Sequence, residues 1–426
     1  MKVLFTTFAA NAHFYNLVPM AWALRAAGHD VRVAAQPDLA DSIVRAGLPA
    51  VEVGPVLDLG GRSGKVQERP TGKTVFDYEF DITETRAERL TPDYVRGVFS
   101  TWCSIALDEL SQDAALDDLV GFARSWKPDL VVWDALTYMG PIAARACGAA
   151  HVRMLFGLDH WARMRGLFTE LCGAGGADPM AEWLSGKLER YGCVFDEELV
   201  LGQRTLDPLP PWTRFPVGVD YLPVRHVPYN GPSTVPSWLS EPPARRRVCV
   251  TLGMSRRDLW GDDQFSAEDL FAAVADLDIE VIATLTARQA ESASAVPENV
   301  RLFDFVPLDA LLPTCAAVIH HGGAGTLGNA VVHGVPQLVI PGNLWDKAGL
   351  ADLLAGQGAG LVLEHDQVTA EQLRTQLLRL LDEPSFATSA EKARAQVLEA
   401  PAPAGIVPEL ERLVSGQPFT PGAGAR

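Results

Sequence analysis

The sequence predicts an α/β protein made of two domains, each a parallel sheet covered by helices. Strand-like apolar runs alternate with helix-length segments in both halves of the chain. A proline-rich stretch separates the halves, and a glycine-rich turn follows a buried strand in the second. At 426 residues, with 48% hydrophobic and 21% charged residues, the chain is long enough for two domains of about 200 residues each.

The first half opens with a strand, a helix and a second strand. Residues 2–7 are predicted as a strand, residues 17–27 as a helix ending at Gly28, and residues 31–35 as the next strand. Helices are expected over residues 91–125 and 141–147, a strand over 130–133, a mobile loop over 55–75, and a helical, aromatic region over 158–206.

The second half repeats this pattern after a connection. Residues 207–243 contain ten prolines and no clear period, so they are predicted as the interdomain linker. Strands are predicted over residues 248–252, 280–284, 300–303, 317–319 and 337–340. The predicted boundaries are 1–206 for the N-terminal domain, 244–400 for the C-terminal domain, 401–416 for a final stretch with a helix at 406–414, and 417–426 for a loose tail.

Charge and composition exclude several classes of protein. A formal net charge of −17 repels phosphate backbones and argues against a nucleic-acid partner. Six cysteines without paired spacing indicate neither a zinc site nor a disulfide framework. The first eight residues lack the features of a signal peptide, and no apolar run reaches the roughly 18 residues that span a bilayer. A soluble, cytoplasmic protein is therefore expected.

The glycine-rich turn is the most informative motif. His320-His321-Gly322-Gly323-Ala324-Gly325-Thr326 follows a buried strand, and residues 326–333 are predicted as a helix. Free N–H groups at such a helix start form an anion site that suits a diphosphate. The spacing matches neither the dinucleotide fingerprint nor the P-loop.

With Gly334-Val335-Pro336, Pro341 and Trp345-Asp346, these residues resemble the donor-binding signature of the two-domain (GT-B) nucleotide-sugar glycosyltransferases of family 1. The likeness extends to residues 5–22 and 304–312 and so covers the whole chain. Within that family the sequence is similar to actinobacterial enzymes that attach deoxysugars or aminodeoxysugars to macrolide and aromatic polyketide antibiotics. The resemblance implies two Rossmann-like domains facing across a cleft, with the C-terminal helix crossing back to the first domain.

The resemblance also implies a catalytic pair. His13, ahead of Val18-Pro19, matches the family's general base, and a neutral imidazole can accept the proton of an acceptor hydroxyl. Asp134 follows the strand over residues 130–133 and resembles the aspartate that orients this base. The alternatives are a loop histidine and a capping carboxylate.

The resemblance assigns the donor site to a larger set of residues. His321, Gly323, Gly325 and Thr326 would contact the diphosphate, whereas His320 is expected to be structural. Phe305, with Val306, stands where the family often stacks a tryptophan on the nucleotide base, and a core role is the alternative. Ser255 would reach the diphosphate, although this chain has Met254 where the family more often has a small hydroxyl residue. Asp346-Lys347 replaces the Asp-Gln pair of many relatives, which suits a sugar with fewer hydroxyls unless Lys347 is only a solvated residue.

The predicted function is an inverting transfer of a deoxysugar from a dTDP-sugar to a hydroxyl of a polyketide, with no cofactor and no metal. Two alternatives are a nucleotide-sugar epimerase of similar architecture and a catalytically silent helper subunit. The aromatic segments over residues 75–110 and 155–200 are expected to bind the apolar acceptor. They also resemble those of relatives that need a helper protein related to cytochromes P450, which is a candidate partner; a homodimer is left open.

Overall fold

The computed structural model describes residues 1–59, 80–173, 176–251, 266–285, 295–342 and 345–417. The chain forms two compact units. The first contains Met1–Pro208, Phe215–Val224 and the chain from Pro401 onward, and the second contains Leu209–Arg214 and Arg225–Ala400. Each unit holds one wholly parallel sheet, so the predicted fold class is confirmed.

Seven strands form the sheet of the first unit. They are β1 (Lys2–Thr6), β2 (Asp30–Ala35), β3 (Ala50–Glu52), β4 (Leu130–Asp134), β5 (Ala150–Met154), β6 (Arg204–Asp207) and β7 (Tyr221–Pro223). Their order across the sheet is β3-β2-β1-β4-β5-β6-β7. All five residues of β4 are buried, as expected for a central strand that helices cover on both faces.

Helices flank this sheet. They are α1 (Asn11–Ala26), α2 (Ala40–Arg45), α3 (Pro92–Thr101), α4 (Asp108–Leu110), α5 (Asp113–Trp126), α6 (Met139–Cys147), α7 (His160–Cys172), α8 (Pro179–Glu189) and α9 (Glu198–Leu201). A π-helical segment, Trp102–Leu107, joins α3 to α4 without a break.

Six strands form the sheet of the second unit. They are β8 (Arg246–Thr251), β9 (Ile279–Thr284), β10 (Val300–Phe303), β11 (Ala317–His320), β12 (Gln337–Val339) and β13 (Gly360–Val362), in the order β10-β9-β8-β11-β12-β13. The helices of this unit are α10 (Ala267–Val274), α11 (Leu308–Leu311), α12 (Ala324–Val332), α13 (Lys347–Gly356), α14 (Ala370–Asp382) and α15 (Pro384–Glu399). Alternate residues of β8 enter different apolar clusters, Val248 and Val250 one and Cys249 the other, so the sheet is buried on both sides.

The region predicted as a linker differs from the prediction. Residues 158–206 do not stay helical, because they end in β6, and residues 207–243 contain β7. β7 is a three-residue edge strand that pairs with β6, and Pro223 stands at its last position. An edge strand tolerates a missing N–H there, so proline content alone did not exclude a strand. Short strands β3, β5 and β13 also escaped the prediction.

The last helix, α16 (Pro403–Val414), begins three residues before its predicted start. Pro403 occupies the first helical position, where proline is favoured. Ile406, Val407 and Leu410 are buried, and α16 packs against α1 in the first unit. Residues 60–75 of the predicted loop and 418–426 of the predicted tail lie outside the described residues. Within the described ranges, each helix is too short or too polar to traverse a lipid bilayer.

Candidate active site

The first site lies where the strand order of the first sheet reverses. β1 has β2 on one side and β4 on the other, so the connections leaving β1 and β4 diverge. Ligands of parallel α/β sheets bind beyond the carboxyl ends of strands at such a reversal. The chain places His13 after β1 and Asp134 at the end of β4. α1 begins at Asn11, earlier than predicted, so His13 stands in the first helical turn and not in a loop.

His13 and Asp134 form a hydrogen bond across this point. His13 Nδ1 lies 2.8 Å from Asp134 Oδ2, although 121 residues separate the two in sequence. The side chain of Asp134 is fully buried, and that of His13 is 17% exposed. Asp134 Oδ1 accepts from the backbone N–H of Leu136 at 3.0 Å, which fixes the carboxylate. A carboxylate at Nδ1 keeps the proton there and leaves Nε2 as a base.

Two phenylalanine rings complete the surroundings of His13. The ring centroid of Phe8 lies 4.4 Å from that of His13, and the centroid of Phe156 lies 4.3 Å from it. Sequence reasoning placed Phe156 only in a general aromatic region and did not single out Phe8. Both rings stand two residues beyond the end of a strand, Phe8 after β1 and Phe156 after β5. Because β5 was not predicted, no sequence pattern placed Phe156 at a strand end.

The second site lies at the corresponding reversal of the second sheet, between β8 and β11. The glycine-rich turn leaves β11 and enters α12, with Gly323 as the N-cap residue and no side chain capping the helix. The first-turn N–H groups therefore have no capping side chain and remain suited to an anion. Gly325 has open space where a Cβ would stand, and Thr326 lies in the same turn.

The two histidines of the turn differ in environment. His320 is fully buried: its Nδ1 accepts from Gly322 N–H at 3.1 Å, and its Nε2 lies 2.8 Å from Gln337 Oε1. Burial lowers the pKa of His320 to about 4, so this ring is neutral and structural. The ring of His321 lies against Gly323, because a Cβ at Gly323 would stand 2.9 Å from His321 Nε2. His321 is therefore next to the start of α12.

The Asp346-Lys347 pair approaches the same turn. Gly322 has a φ of +85°, and a Cβ there would lie 3.3 Å from the carbonyl oxygen of Lys347. Asp346 is the N-cap residue of α13 and is buried. Trp345, the preceding residue, has a φ of +55°, a strained value for a bulky side chain.

Phe305, Val306 and Ser255 are the remaining residues predicted to bind the donor. Phe305 is 39% exposed, whereas its neighbour Val306 is 2% exposed and belongs to an apolar core cluster. Val306 is therefore a core residue, whereas the exposure of Phe305 does not fit the core role considered as its alternative. Ser255 lies outside the described residues. Within the described part of the chain, no group of three or more His, Cys, Asp or Glu side chains has an arrangement that could hold a metal ion.

Comparison with known proteins agrees with these features. Residues 22–253 match the family described as erythromycin biosynthesis protein CIII-like, N-terminal domain, and residues 268–413 match its C-terminal domain. The chain is 49% identical to aclacinomycin-T 2-deoxy-L-fucose transferase of Streptomyces galilaeus, over 97% of this chain and 96% of that protein. It is 47% identical to 10-deoxymethynolide desosaminyltransferase of Streptomyces venezuelae, over the full length of both.

The crystal structure of the glycosyltransferase VinC in complex with dTDP superposes with a TM-score of 0.88 at 45% identity, covering 98% of this chain and 100% of that one. The resemblance seen in the sequence is confirmed, and the epimerase and silent-subunit alternatives are not favoured because these relatives are named as transferases. The chain is a GT-B glycosyltransferase and belongs to the erythromycin biosynthesis protein CIII-like family.

Proposed function

We propose that this protein transfers a deoxysugar from a dTDP-sugar to a hydroxyl of a polyketide aglycone in antibiotic biosynthesis, with inversion at the anomeric carbon. The observation that carries the proposal is the hydrogen bond of His13 to the buried Asp134 at the strand-order reversal of the first sheet. The names of the relatives support the sugar class, since they include a 2-deoxy-L-fucose transferase and a desosaminyltransferase. The dTDP in the VinC crystal structure supports the nucleotide.

The proposed step is a single in-line displacement. His13 Nε2 accepts the proton of the acceptor hydroxyl while that oxygen forms a bond to the anomeric carbon. The bond from the anomeric carbon to the diphosphate breaks, and the electron pair leaves with the nucleotide diphosphate. Asp134 stabilises the imidazolium that forms, because a carboxylate 2.8 Å from Nδ1 is a strong hydrogen-bond acceptor for it.

The departing diphosphate is proposed to bind at the start of α12. The N–H groups of the first turn carry partial positive charge, and His321 adds a donor beside Gly323. These groups supply the leaving-group stabilisation in this proposal, and a metal ion has no assigned part in it. Lys347 lies beside the same turn, and Asp346 precedes it in the chain; both are proposed to contact the sugar.

Two measurements test the proposal. A nucleotide panel should show that dTDP raises the melting temperature most, since a ligand at about 100 times its dissociation constant adds about 2.7 kcal/mol to the free energy of unfolding. Incubation with a dTDP-deoxysugar and a polyketide aglycone should give a glycoside of inverted anomeric configuration by NMR. A retained configuration, or no stabilisation by dTDP, would contradict it.

We also propose that a helper protein related to cytochromes P450 increases the activity of this enzyme. The support is the likeness of residues 75–110 and 155–200 to helper-dependent relatives; the structure describes 80–110, 155–173 and 176–200 of these segments. Adding the partner should raise turnover at least tenfold, which requires a bias of only ~1.4 kcal/mol toward the competent state. Amide exchange in α3 and α7 should slow at the same time. Full turnover by the isolated chain, unchanged when any partner is added, would contradict this proposal.

Sedimentation velocity of the chain alone tests whether it forms a homodimer.

A further inference from the structure

The imidazole of His13 contacts the rings of Phe8 and Phe156, which have no part in the proposed mechanism above. The planes of Phe8 and Phe156 are tilted by 52° and 50° from the imidazole plane, and both centroids lie within 4.4 Å of its centroid. The geometry points to Phe8 and Phe156, here called the aromatic clamp, as positioning residues that hold the orientation of the base. This inference rests on the proposed function, because it concerns how His13 acts in that reaction.

A clamp is needed because one hydrogen bond does not fix a ring. The bond from Nδ1 to Asp134 sets one direction but leaves the imidazole free to rock about that axis. Rings in van der Waals contact from two chain segments restrict this rotation and so fix the direction of Nε2. Displacing a catalytic group by about 1 Å can lower the rate of the reaction about 10²-fold. The rings also attract the cation that forms when His13 takes the proton.

The backbone at Phe8 is fixed by hydrogen bonds to its carbonyl oxygen. The carbonyl of Phe8 accepts from Ala10 N–H at 2.7 Å and from the Thr7 hydroxyl at 3.3 Å. Phe8 is 5% exposed. These bonds hold the backbone of the short loop between β1 and α1, and burial of the Phe8 side chain restricts its ring beside the start of the helix that bears His13.

The Phe156 segment is tied to the same helix and to the sheet. Leu155 N–H donates to the Leu206 carbonyl at 3.0 Å, and the Leu155 carbonyl accepts from Asn16 Nδ2 at 2.7 Å. Asn16 lies three residues after His13 on α1. The segment that carries Phe156 thus keeps its distance to the helix that carries the base.

The far end of that segment is fixed by a buried ion pair. Arg153 contacts both oxygens of Asp159, at 3.0 and 2.5 Å, and both side chains are almost fully buried. Asp159 also accepts from Tyr221 OH at 2.9 Å and caps α7 through Ala162 N–H at 3.0 Å. Phe156 is therefore carried on a segment held at both ends, which is what a rigid positioning element requires.

The kinetic test compares three variants with the parent enzyme. Phe156→Leu should lower kcat roughly tenfold while the KM values for donor and acceptor change less than about twofold, because orientation of the base affects the chemical step. Phe156→Tyr keeps the ring and should restore kcat to within about threefold. Phe14→Leu is the control. Phe14 is a fully buried phenylalanine that lies on α1, the helix of His13, and its ring packs on Tyr15.

Two results would overturn the clamp. If Phe14→Leu lowers kcat as much as Phe156→Leu, the loss reflects general packing. If Phe156→Leu raises the acceptor KM and leaves kcat unchanged, Phe156 is an acceptor contact. In the His13→Ala background, Phe156→Leu should add no further loss to the residual rate, because the ring acts only through the imidazole.

A spectroscopic measurement separates failure of the clamp from failure of the proposed function. In the parent, ¹⁵N-resolved NMR of the imidazole should show the Nδ1–H tautomer of His13, with ring protons displaced by the neighbouring rings. Phe8→Leu and Phe156→Leu should each remove part of that displacement. Unchanged resonances overturn the clamp whatever the reaction. If the parent shows the displacement and His13→Ala nevertheless retains full activity, the proposed base is overturned and the clamp geometry is not.

Discussion

At the scale of single residues, the candidate base depends on the fully buried carboxylate of Asp134. Asp134 is stabilised by hydrogen bonds from His13 Nδ1, Leu136 N–H and, at 3.5 Å, the Thr137 hydroxyl. Burial of a charge is unfavourable unless such bonds compensate it. The same bonds that stabilise Asp134 therefore orient His13.

The first prediction concerns this pair. His13→Ala and Asp134→Asn should each lower kcat roughly 10²–10⁴-fold, because one removes the base and the other removes the acceptor that sets its tautomer. Binding of dTDP, measured by calorimetry, should stay unchanged. His365→Ala, which removes an exposed histidine of the second unit, serves as the control. Turnover within a few-fold of the parent in either variant would contradict the assignment.

The second prediction concerns the diphosphate. His321→Ala should weaken dTDP binding by roughly 1–3 kcal/mol, the range for a hydrogen bond to a charged group. His333→Ala is the matched control, because His333 caps the opposite end of α12. Equal affinities of the parent and the His321 variant in a calorimetric titration would move the diphosphate site elsewhere.

At the scale of elements, the turn between β11 and α12 depends on one backbone conformation. Gly322 has a φ of +85°, and a Cβ there would stand 3.1 Å from Val339 Cγ1 and 3.3 Å from Lys347 Cβ. Only glycine fits both the left-handed conformation and the close approach of α13. The turn therefore places the proposed anion site next to Lys347.

The third prediction follows from that geometry. Gly322→Ala should lower the free energy of unfolding of the second unit by roughly 1–3 kcal/mol through backbone strain and crowding, and should weaken dTDP binding. Gly356→Ala at the end of α13 is the control, since a Cβ there meets nothing within 4 Å. Urea denaturation in the presence and absence of dTDP measures both effects. A Gly322 variant as stable and as tightly binding as the control would show that the turn adapts.

At the scale of the whole molecule, buried histidines couple stability to pH. Burial lowers the pKa of His151 in the first unit, and of His226 and His320 in the second, from the ordinary 6.5 to about 4. Below pH 6.5 the unfolded chain binds protons at these positions while the folded chain does not. Stability is therefore full above about pH 6.5 and falls as the pH drops toward 4.

The fourth prediction states the size of this effect. Each of the three histidines should lower the free energy of unfolding by up to about 1.4 kcal/mol per pH unit in that window. Glu84, whose pKa its hydrogen bond to Arg86 lowers to about 2, acts in a different window, below its ordinary 4.5. Urea denaturation from pH 7 to 4.5 measures the slope of the free energy of unfolding against pH. His226→Gln should reduce this slope by the contribution of about one bound proton. A flat profile over that range would contradict the prediction.

The amino-acid sequence by itself determined the fold class and the family. Central parallel strands are buried on both faces and so read as short apolar runs, such as residues 130–133 and 317–319. A residue that directly follows such a run must lie at the carboxyl edge of its sheet. This local rule placed Asp134 and His321 near the carboxyl edges of their sheets, whereas His13, which lies in α1 beyond β1, was assigned by the family resemblance.

Tertiary structure alone decided which of these residues meet and what surrounds them. The bond between His13 and Asp134 depends on β1 and β4 being neighbours, and the contact with Phe156 depends on β5, which no pattern indicated. The pairing of β7 with β6 likewise comes from a segment whose prolines suggested a linker. Contacts between distant residues follow strand order, and strand order results from packing the whole apolar surface at once, which no local window of sequence contains.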